Sequence, residues 1–495
     1  MKRLSYLLLL FLSLVLYVFT ARGSLGNPSA LEIEQDLSVS GQAFETSQER
    51  SRYALILSLY YDHTFAIDNY ASMGTPDIGR INGHYFSFFP PAASVLALPL
   101  YVLGLTLNAP QMAVFSLSTI FALLTILLIF AFSQKLKLHW SIGLFAALAF
   151  GFATNAWGYS VTFYAHLISA FLLLFGLYIA LFGPQNKILK SSLIWFAYAA
   201  AVFVDFPNLF IFLPIALMHF VETFSTQMHE ISAKLRIYWP YFLTPLIFVL
   251  CMGIYGYFNL VNFGSPTKLS NTIPRVRDIS HQESTANIAV ERGKSSANAL
   301  NPRNMLNGIY TFLISPDRGV LVYSPVVLLF IFGVGTQKEI EKKREMALLM
   351  LPATCLTLYS MFGDPWGGWA FGSRYMIAVL PQLIILAGLG LARFHKNVWV
   401  KIFFSVVFAY SAAVSLLAPL TTNVVPPVVE AKPLGLTSDY RVNLRMLQKN
   451  ELNSFVYNHV LKGTLPATYY YGALLMVVVL SGFVCIWYPK GTHSE

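Results

Sequence analysis

Thirteen apolar blocks, most of them long enough or nearly long enough to cross a bilayer, constrain this chain more than any other feature. They fall at about 4–20, 92–108, 111–134, 141–157, 161–183, 192–204, 207–222, 239–259, 317–335, 346–362, 373–393, 399–418 and 468–488. A crossing helix needs about 20 residues to span roughly 30 Å of hydrocarbon. Inside lipid every backbone polar group must bond within the chain, so these blocks are expected to be helices. Composition agrees: 56% of the 495 residues are hydrophobic and only 11% are charged, against about a quarter charged in a soluble domain. The expected fold class is an all-α polytopic membrane protein.

Charge orients the blocks. The net charge of +10 forms no nucleic-acid surface, because Lys and Arg are spread over short loops between apolar blocks. Lys2 and Arg3 precede the first block, which reads as an uncleaved first span rather than a signal peptide. If block 92–108 crosses, the later short basic loops, including Lys338 to Arg344, face outward. If it dips in and returns, or lies at the outer surface, Lys135/Lys137, Lys187/Lys190, Lys234/Arg236, Lys338–Arg344, Arg393/Lys396/Lys401 and Lys490 all face the cytoplasm. The positive-inside rule prefers the second topology. Block 92–108 suits it, with Pro99 and Gly104 inside and Pro90-Pro91 and Pro110 at its ends. About twelve spans result, with both termini cytoplasmic and outer segments at 21–110, about 260–316, 363–372 and 419–467. Residues 1–418 read as one transmembrane catalytic region that includes the first outer loop, and 419–495 as an outer loop with the last span. Cys251, Cys355 and Cys485 all lie in apolar blocks, so no disulfide framework is expected.

The chemistry-bearing residues gather on the outer side. In Gln48-Glu49-Arg50-Ser51-Arg52-Tyr53-Ala54, the apolar residues Leu55, Ile56 and Leu59 that follow predict an amphipathic helix on the membrane surface. Glu49 falls in its first turn, where the helix dipole lowers a carboxyl pKa and favours a general base. Thr46-x-x-Glu49 is also a capping box, a purely structural use of the same residue. His84 and Tyr85 lie in an aromatic run before Pro90-Pro91, fit for a sugar or lipid groove or for an interfacial anchor. His166 begins a later block and can contact a phosphate, act as a base or be a satisfied core histidine. Asp205 lies in an outer turn, as a functional carboxylate or a helix cap. Arg318 and Arg374 open two blocks, where guanidinium and helix dipole together favour a phosphate, with snorkelling anchors as the alternative. No Walker loop, HExxH motif, nucleophile elbow or zinc-type His/Cys cluster occurs.

These stretches resemble the GT-C membrane glycosyltransferases, specifically the protein O-mannosyltransferase and aminoarabinose transferase group (glycosyltransferase family 39-like). Glu49-Arg50-Ser51-Arg52-Tyr53-Ala54 is similar to that group's acidic-x-x-Arg-Tyr-Ala motif, and Gly83-His84-Tyr85-Phe86 with Pro90-Pro91 to its Gly-x-x-Tyr…Pro-Pro segment. Phe263-Gly264-Ser265-Pro266, Ser315-Pro316-x-Arg318-Gly319 and Trp366-Gly367-Gly368-Trp369 with Arg374-Tyr375 resemble segments of uncharacterised bacterial and archaeal members. The resemblance implies a polyprenyl-phosphate sugar donor, a glycan, lipid or protein acceptor, and a plasma-membrane location with membrane lipids around the chain. It implies inverting transfer with Glu49 as base in place of the usual Asp. Phe88-Phe89 stands where aminoarabinose transferases carry a phosphate-binding Lys, so Arg318 and Arg374 are the expected phosphate contacts. Arg52, His84, Tyr85, His166 and Asp205 are expected on the supporting or acceptor side. No cofactor is assured, although some members of the wider fold use a divalent metal. A transporter or lipid flippase, and a non-catalytic scaffold of the same fold, are the competing readings.

Overall fold

The computed structural model describes residues 2–35, 44–234, 243–276, 279, 290–291, 300–336 and 338–488. Asp36, Arg236 and Lys490 lie outside them. Among the described residues six helices are long and apolar enough to cross a membrane: Pro110–Lys135, Lys187–Val204, Leu246–Phe263, Arg374–Arg393, Val398–Leu420 and Ala467–Trp487. Shorter apolar helices cover Leu4–Thr20, Ala92–Thr106, Trp140–Phe152, His166–Phe182 and Asn208–Thr223. The outer faces of these helices are apolar. Along Leu246–Phe263, Val249, Leu250, Ile254, Tyr257 and Val261 are all exposed. An apolar face of that size is unfavourable in water, so the chain is read as a polytopic membrane protein with lipid against these side chains. The centre of the bundle is the Trp140–Phe152 helix, buried on every face from Ser141 to Phe152.

The helix Ala92–Thr106 has 15 residues, about 22 Å of rise, and Pro99 interrupts its hydrogen bonding. It turns at Leu107–Ala109 straight into Pro110–Lys135 and packs against it. Gly104 makes that close approach possible, because a side chain there would run into Pro110 and Ala113.

Two expectations need correction. Block 317–335 is not a regular α-helix. It forms one short turn, Val320–Tyr323, and then a 3-10 helix, Pro325–Gly333. Pro325 cannot donate to the preceding turn, and Gly333 lies so close to the Leu380–Arg393 helix that a side chain would collide with the Leu386 carbonyl. Freed backbone groups find side-chain partners: Arg393 donates to Val334 O at 2.7 Å, and Val326 N to Ser411 Oγ at 2.9 Å. Non-helical backbone at this depth is tolerated because it is enclosed by protein.

The segments between the apolar blocks, moreover, are not all-α. They build a four-stranded antiparallel sheet in the order β2-β1-β3-β4, from β1 (Ile78–Ile81), β2 (His84–Ser87), β3 (Arg275–Val276) and β4 (Val290–Glu291). Asn82 and Gly83 both take positive φ, 53° and 89°, in the two-residue turn joining β1 to β2, as tight hairpins require. Pairing of β1 with β3 ties segment 21–110 to segment 260–316, and a Leu300–Phe362 bridge ties the latter to the chain just after the Glu339–Ser360 helix.

Candidate active site

The Ser47–Leu57 helix organises the site. It is buried along Glu49–Leu57, so it is not the amphipathic surface helix that its apolar spacing predicts. The hairpin braces one side of it: Ser51 Oγ bonds Ser87 Oγ at 2.8 Å and Asp77 O at 2.9 Å, and Ser47 Oγ bonds Asp77 Oδ2 at 2.6 Å. The Ala92–Thr106 helix closes another side through Ser94 Oγ on Arg52 O at 2.9 Å.

Glu49 has no exposed surface. The capping box with Thr46 forms in both directions. Glu49 Oε2 accepts from Thr46 N at 3.0 Å, Thr46 Oγ1 at 3.1 Å and Glu45 N at 3.1 Å. Glu49 Oε1 is buried without a hydrogen-bond partner. The cap therefore uses Oε2 and leaves Oε1 without a protein partner. Burial pushes its carboxyl up to about 7, with the neighbouring Glu45 charge adding to the rise; Thr46 and Arg22 oppose it. This overturns the expectation of a lowered pKa, because desolvation outweighs the helix-terminus effect at a fully enclosed site.

Arg52 lies one turn further along. Its guanidinium sits 4.0 Å over the Phe89 ring, its Nη1 reaches Gln48 O at 3.4 Å, and its Nε is buried and unpartnered. Burial lowers it to about 10, with Asp205 pulling most strongly the other way, so it stays charged at neutral pH. Arg374 enters from the start of the Arg374–Arg393 helix. With the Gln48 amide oxygen turned toward it, its Nη2 and Nη1 donate there at 2.6 and 3.1 Å. Its Nε too is buried without a partner, and Gly367 (φ +68°) lies so close that a Cβ there would be 3.0 Å from it. Neither guanidinium forms a direct ion pair with a carboxylate among the described residues.

His166 stacks on Tyr164 (centroids 5.8 Å, 19°) and meets Tyr159 and Tyr375 edge-on. Its Nε2 is buried and unpartnered, and its charged neighbours are Arg374 and Arg52. Asp205, at the end of the Lys187–Val204 helix, keeps part of its surface open but is hemmed in by protein. That environment raises it to about 6, against the pull of Arg52 and Arg374. Tyr164 joins the cluster through its hydroxyl, 2.8 Å from Thr46 Oγ1. Tyr159 closes the wall, exchanging hydrogen bonds with Phe371 N and O.

Glu49, Arg52, His166, Asp205 and Arg374 thus come together. Three expected residues do not join them. Arg318 is fully buried, and four of its N–H groups go to the carbonyls of Trp366, Asp317, Gly368 and Val425. Its guanidinium is committed to holding loops together. His84 is exposed on β2 and paired with Asp68 at 2.7 Å, and Tyr85 lies beneath Arg80. Gln48, Tyr164 and Phe89 belong to the cluster but carry no motif of their own. Arg52 replaces Arg318 as the second cation facing it. Among the described residues no three His, Cys, Asp or Glu side chains gather as a metal site. The Glu49–Asp205 surroundings are instead rich in guanidinium charge, which does not fit a divalent ion.

No protein-family model matches the sequence, and no curated protein does. Among solved structures the chain is similar to ArnT from Cupriavidus metallidurans. In the apo state the TM-score is 0.46 at 13% identity, covering 97% of this chain and 76% of that one. Bound to undecaprenyl phosphate it is 0.47 at 14%, with the same coverage. The archaeal oligosaccharyltransferase AglB from Archaeoglobus fulgidus, in complex with an inhibitory peptide and a dolichol-phosphate, gives 0.42 at 12%, covering 100% of this chain and 61% of that one.

Proposed function

We propose that this chain is a membrane glycosyltransferase of the GT-C type that moves a sugar from a polyprenyl-phosphate donor to an acceptor hydroxyl on the extracytoplasmic face, with inversion at the anomeric carbon. One observation carries the reading. Glu49, a buried carboxylate whose Oε1 has no partner, precedes Arg52 by one turn of the same helix, Gln48 beside it accepts from Arg374, and no carboxylate among the described residues pairs with either guanidinium. A base for a hydroxyl proton and a cation pair for a leaving phosphate are the two things this displacement needs.

In this mechanism the acceptor oxygen attacks the anomeric carbon and its proton passes to Glu49 Oε1. The bond from the anomeric carbon to the phosphate oxygen breaks, and the lipid phosphate leaves with its electron pair. Arg52 and Arg374 take up the charge growing on that phosphate. The Phe89 ring beneath Arg52 holds the guanidinium in place, and planar N–H donors match phosphate oxygens well. His166 Nε2 and Asp205 offer polar contacts to donor or acceptor. The accompanying topology has about twelve crossings, both termini in the cytoplasm, and Ala92–Thr106 as a segment that does not cross a bacterial or archaeal plasma membrane.

Purified protein supplied with radiolabelled polyprenyl-phosphate sugars and membrane acceptors is expected to form labelled product and free polyprenyl phosphate. Absence of transfer from every donor rejects the reading in favour of a transporter or a scaffold, in which the capping role of Glu49 Oε2 is the only role.

A further inference from the structure

Glu45, four residues before Glu49, is named by no motif, yet its carboxylate accepts three hydrogen bonds from three separate parts of the chain. Its Oε2 accepts from Arg22 Nη1 at 2.7 Å and from Asn423 N at 2.9 Å; its Oε1 accepts from Asn453 Nδ2 at 2.9 Å. The pair with Arg22 is buried, with side chains 0% and 7% exposed. Arg22 in turn donates to the carbonyls of Pro419, Thr421 and Ala418. Glu45 N reaches the other way, to Glu49 Oε2 at 3.1 Å. One residue thus joins the end of the first helix, the start of the 419–467 segment and the candidate base. Asn423 extends the connection by donating to Gly158 O at 2.9 Å, beside Tyr159 in the site wall.

We infer that Glu45, locked by Arg22, is a positioning residue: it fixes the Glu49 carboxylate, sets a second carboxylate beside it, and couples both to the 419–467 segment. The base and the transfer chemistry rest on the function proposed above; the electrostatic coupling does not. The Glu45 carboxylate favours the protonated form of Glu49 as a like charge, and the Arg22 guanidinium favours the ionised form. Glu49 is also faced by Arg22 from the first helix and by Tyr164 from the turn before the His166–Phe182 helix. The two charges oppose each other, so their removal must act with opposite sign. Glu45→Gln removes the repulsive charge and leaves Arg22 attractive, so Glu49 ionises at lower pH. Arg22→Gln removes the attractive charge while Asn423 N and Asn453 Nδ2 still donate to Glu45, so Glu49 ionises at higher pH.

The test is carbodiimide labelling of Glu49, which modifies the protonated carboxyl, followed across pH by peptide mass spectrometry on the full chain in detergent. It requires no sugar donor, so its result stands whether or not transfer is found. The labelling midpoint is expected to fall by roughly one pH unit in Glu45→Gln and to rise in Arg22→Gln. In a protein active in transfer, the acid limb of kcat/KM moves in the same two directions. Coincident curves, or movement of both variants in one direction as general loosening would give, overturn the inference. If Glu45→Gln does not fold, Arg22→Gln decides alone: an upward shift supports the coupling, and an unchanged or lowered midpoint refutes it.

Discussion

Replacing Arg318 by Met separates a structural arginine from a substrate-binding one. The Arg318 guanidinium bonds the carbonyls of Trp366 and Gly368 in the third outer segment, Val425 in the fourth, and Asp317 beside it, at 2.6–2.9 Å. Met fills much of the volume and meets none of them. Leaving a buried carbonyl unpaired costs about 1–3 kcal/mol; the Trp366, Gly368 and Asp317 carbonyls lose this partner, while Val425 O keeps its bond from Ala370 N at 3.0 Å. Non-additivity and relaxation trim the sum, so a loss of about 3–5 kcal/mol is expected. For a chain of 495 residues that is a drop of roughly 3–5 °C in apparent melting temperature. Arg318→Lys recovers little, because an ammonium cannot fork across two segments. The assay is thermal unfolding in detergent, with donor binding measured on the protein that stays folded. A Met variant that melts like the wild type but no longer binds polyprenyl phosphate refutes the reasoning and returns Arg318 to the phosphate site.

Further outcomes follow from the same geometry. Glu49 has a folded-state pKa of about 7, above its ordinary value of 4.5. The folded state therefore holds the proton more tightly, and stability falls as pH rises from about 4.5 through 7, by on the order of 3 kcal/mol. Glu49→Gln should thus melt higher than the wild type at pH 8, with the gap closing toward pH 5; equal melting at both pH values contradicts the burial argument. Arg52→Met and Arg374→Met are each expected to weaken polyprenyl-phosphate binding about tenfold or more, since charged hydrogen bonds contribute roughly 1.5–3 kcal/mol; unchanged affinity in both removes them from the phosphate site. Gly333→Ala should destabilise the bundle strongly by forcing the 325–333 segment off the Leu380–Arg393 helix, as measured by melting temperature. Single cysteines at Tyr60 and Ile340 should label from the outside and the inside of the membrane respectively; outside labelling at 340 breaks the proposed topology.

Much of the helical framework was legible. The blocks 399–418 and 468–488 appear as Val398–Leu420 and Ala467–Trp487, and 111–134 as Pro110–Lys135, because a continuous apolar run leaves lipid-embedded backbone little other choice. The same logic failed at 317–335, where Pro325 and the close approach at Gly333 impose a 3-10 path that composition does not reveal. The outer sheet has strands of two to four residues, too short for an alternation pattern, and β1 finds β3 almost 200 positions away. One local signal was there to read: Asn82-Gly83 is a strong hairpin turn pair. In the site, residue types pointed to Glu49, Arg52, His166, Asp205 and Arg374. What they could not convey was availability. Arg318 looks like Arg374 in sequence, and only the carbonyls drawn in from residues 366, 368 and 425 show that its donors are spent. The direction of the Glu49 shift was likewise hidden, since it depends on enclosure by segments remote in the chain.

The central claim is most directly tested by the turnover of a polyprenyl-phosphate sugar by purified wild-type protein and by Glu49→Gln, measured side by side at pH 8 with donor binding checked for both. The wild type is expected to release polyprenyl phosphate and form a glycoside of inverted anomeric configuration, and the Gln variant to bind donor but turn it over roughly 10²- to 10⁴-fold more slowly. Equal turnover by the two proteins, or none by the wild type with any donor, contradicts the account.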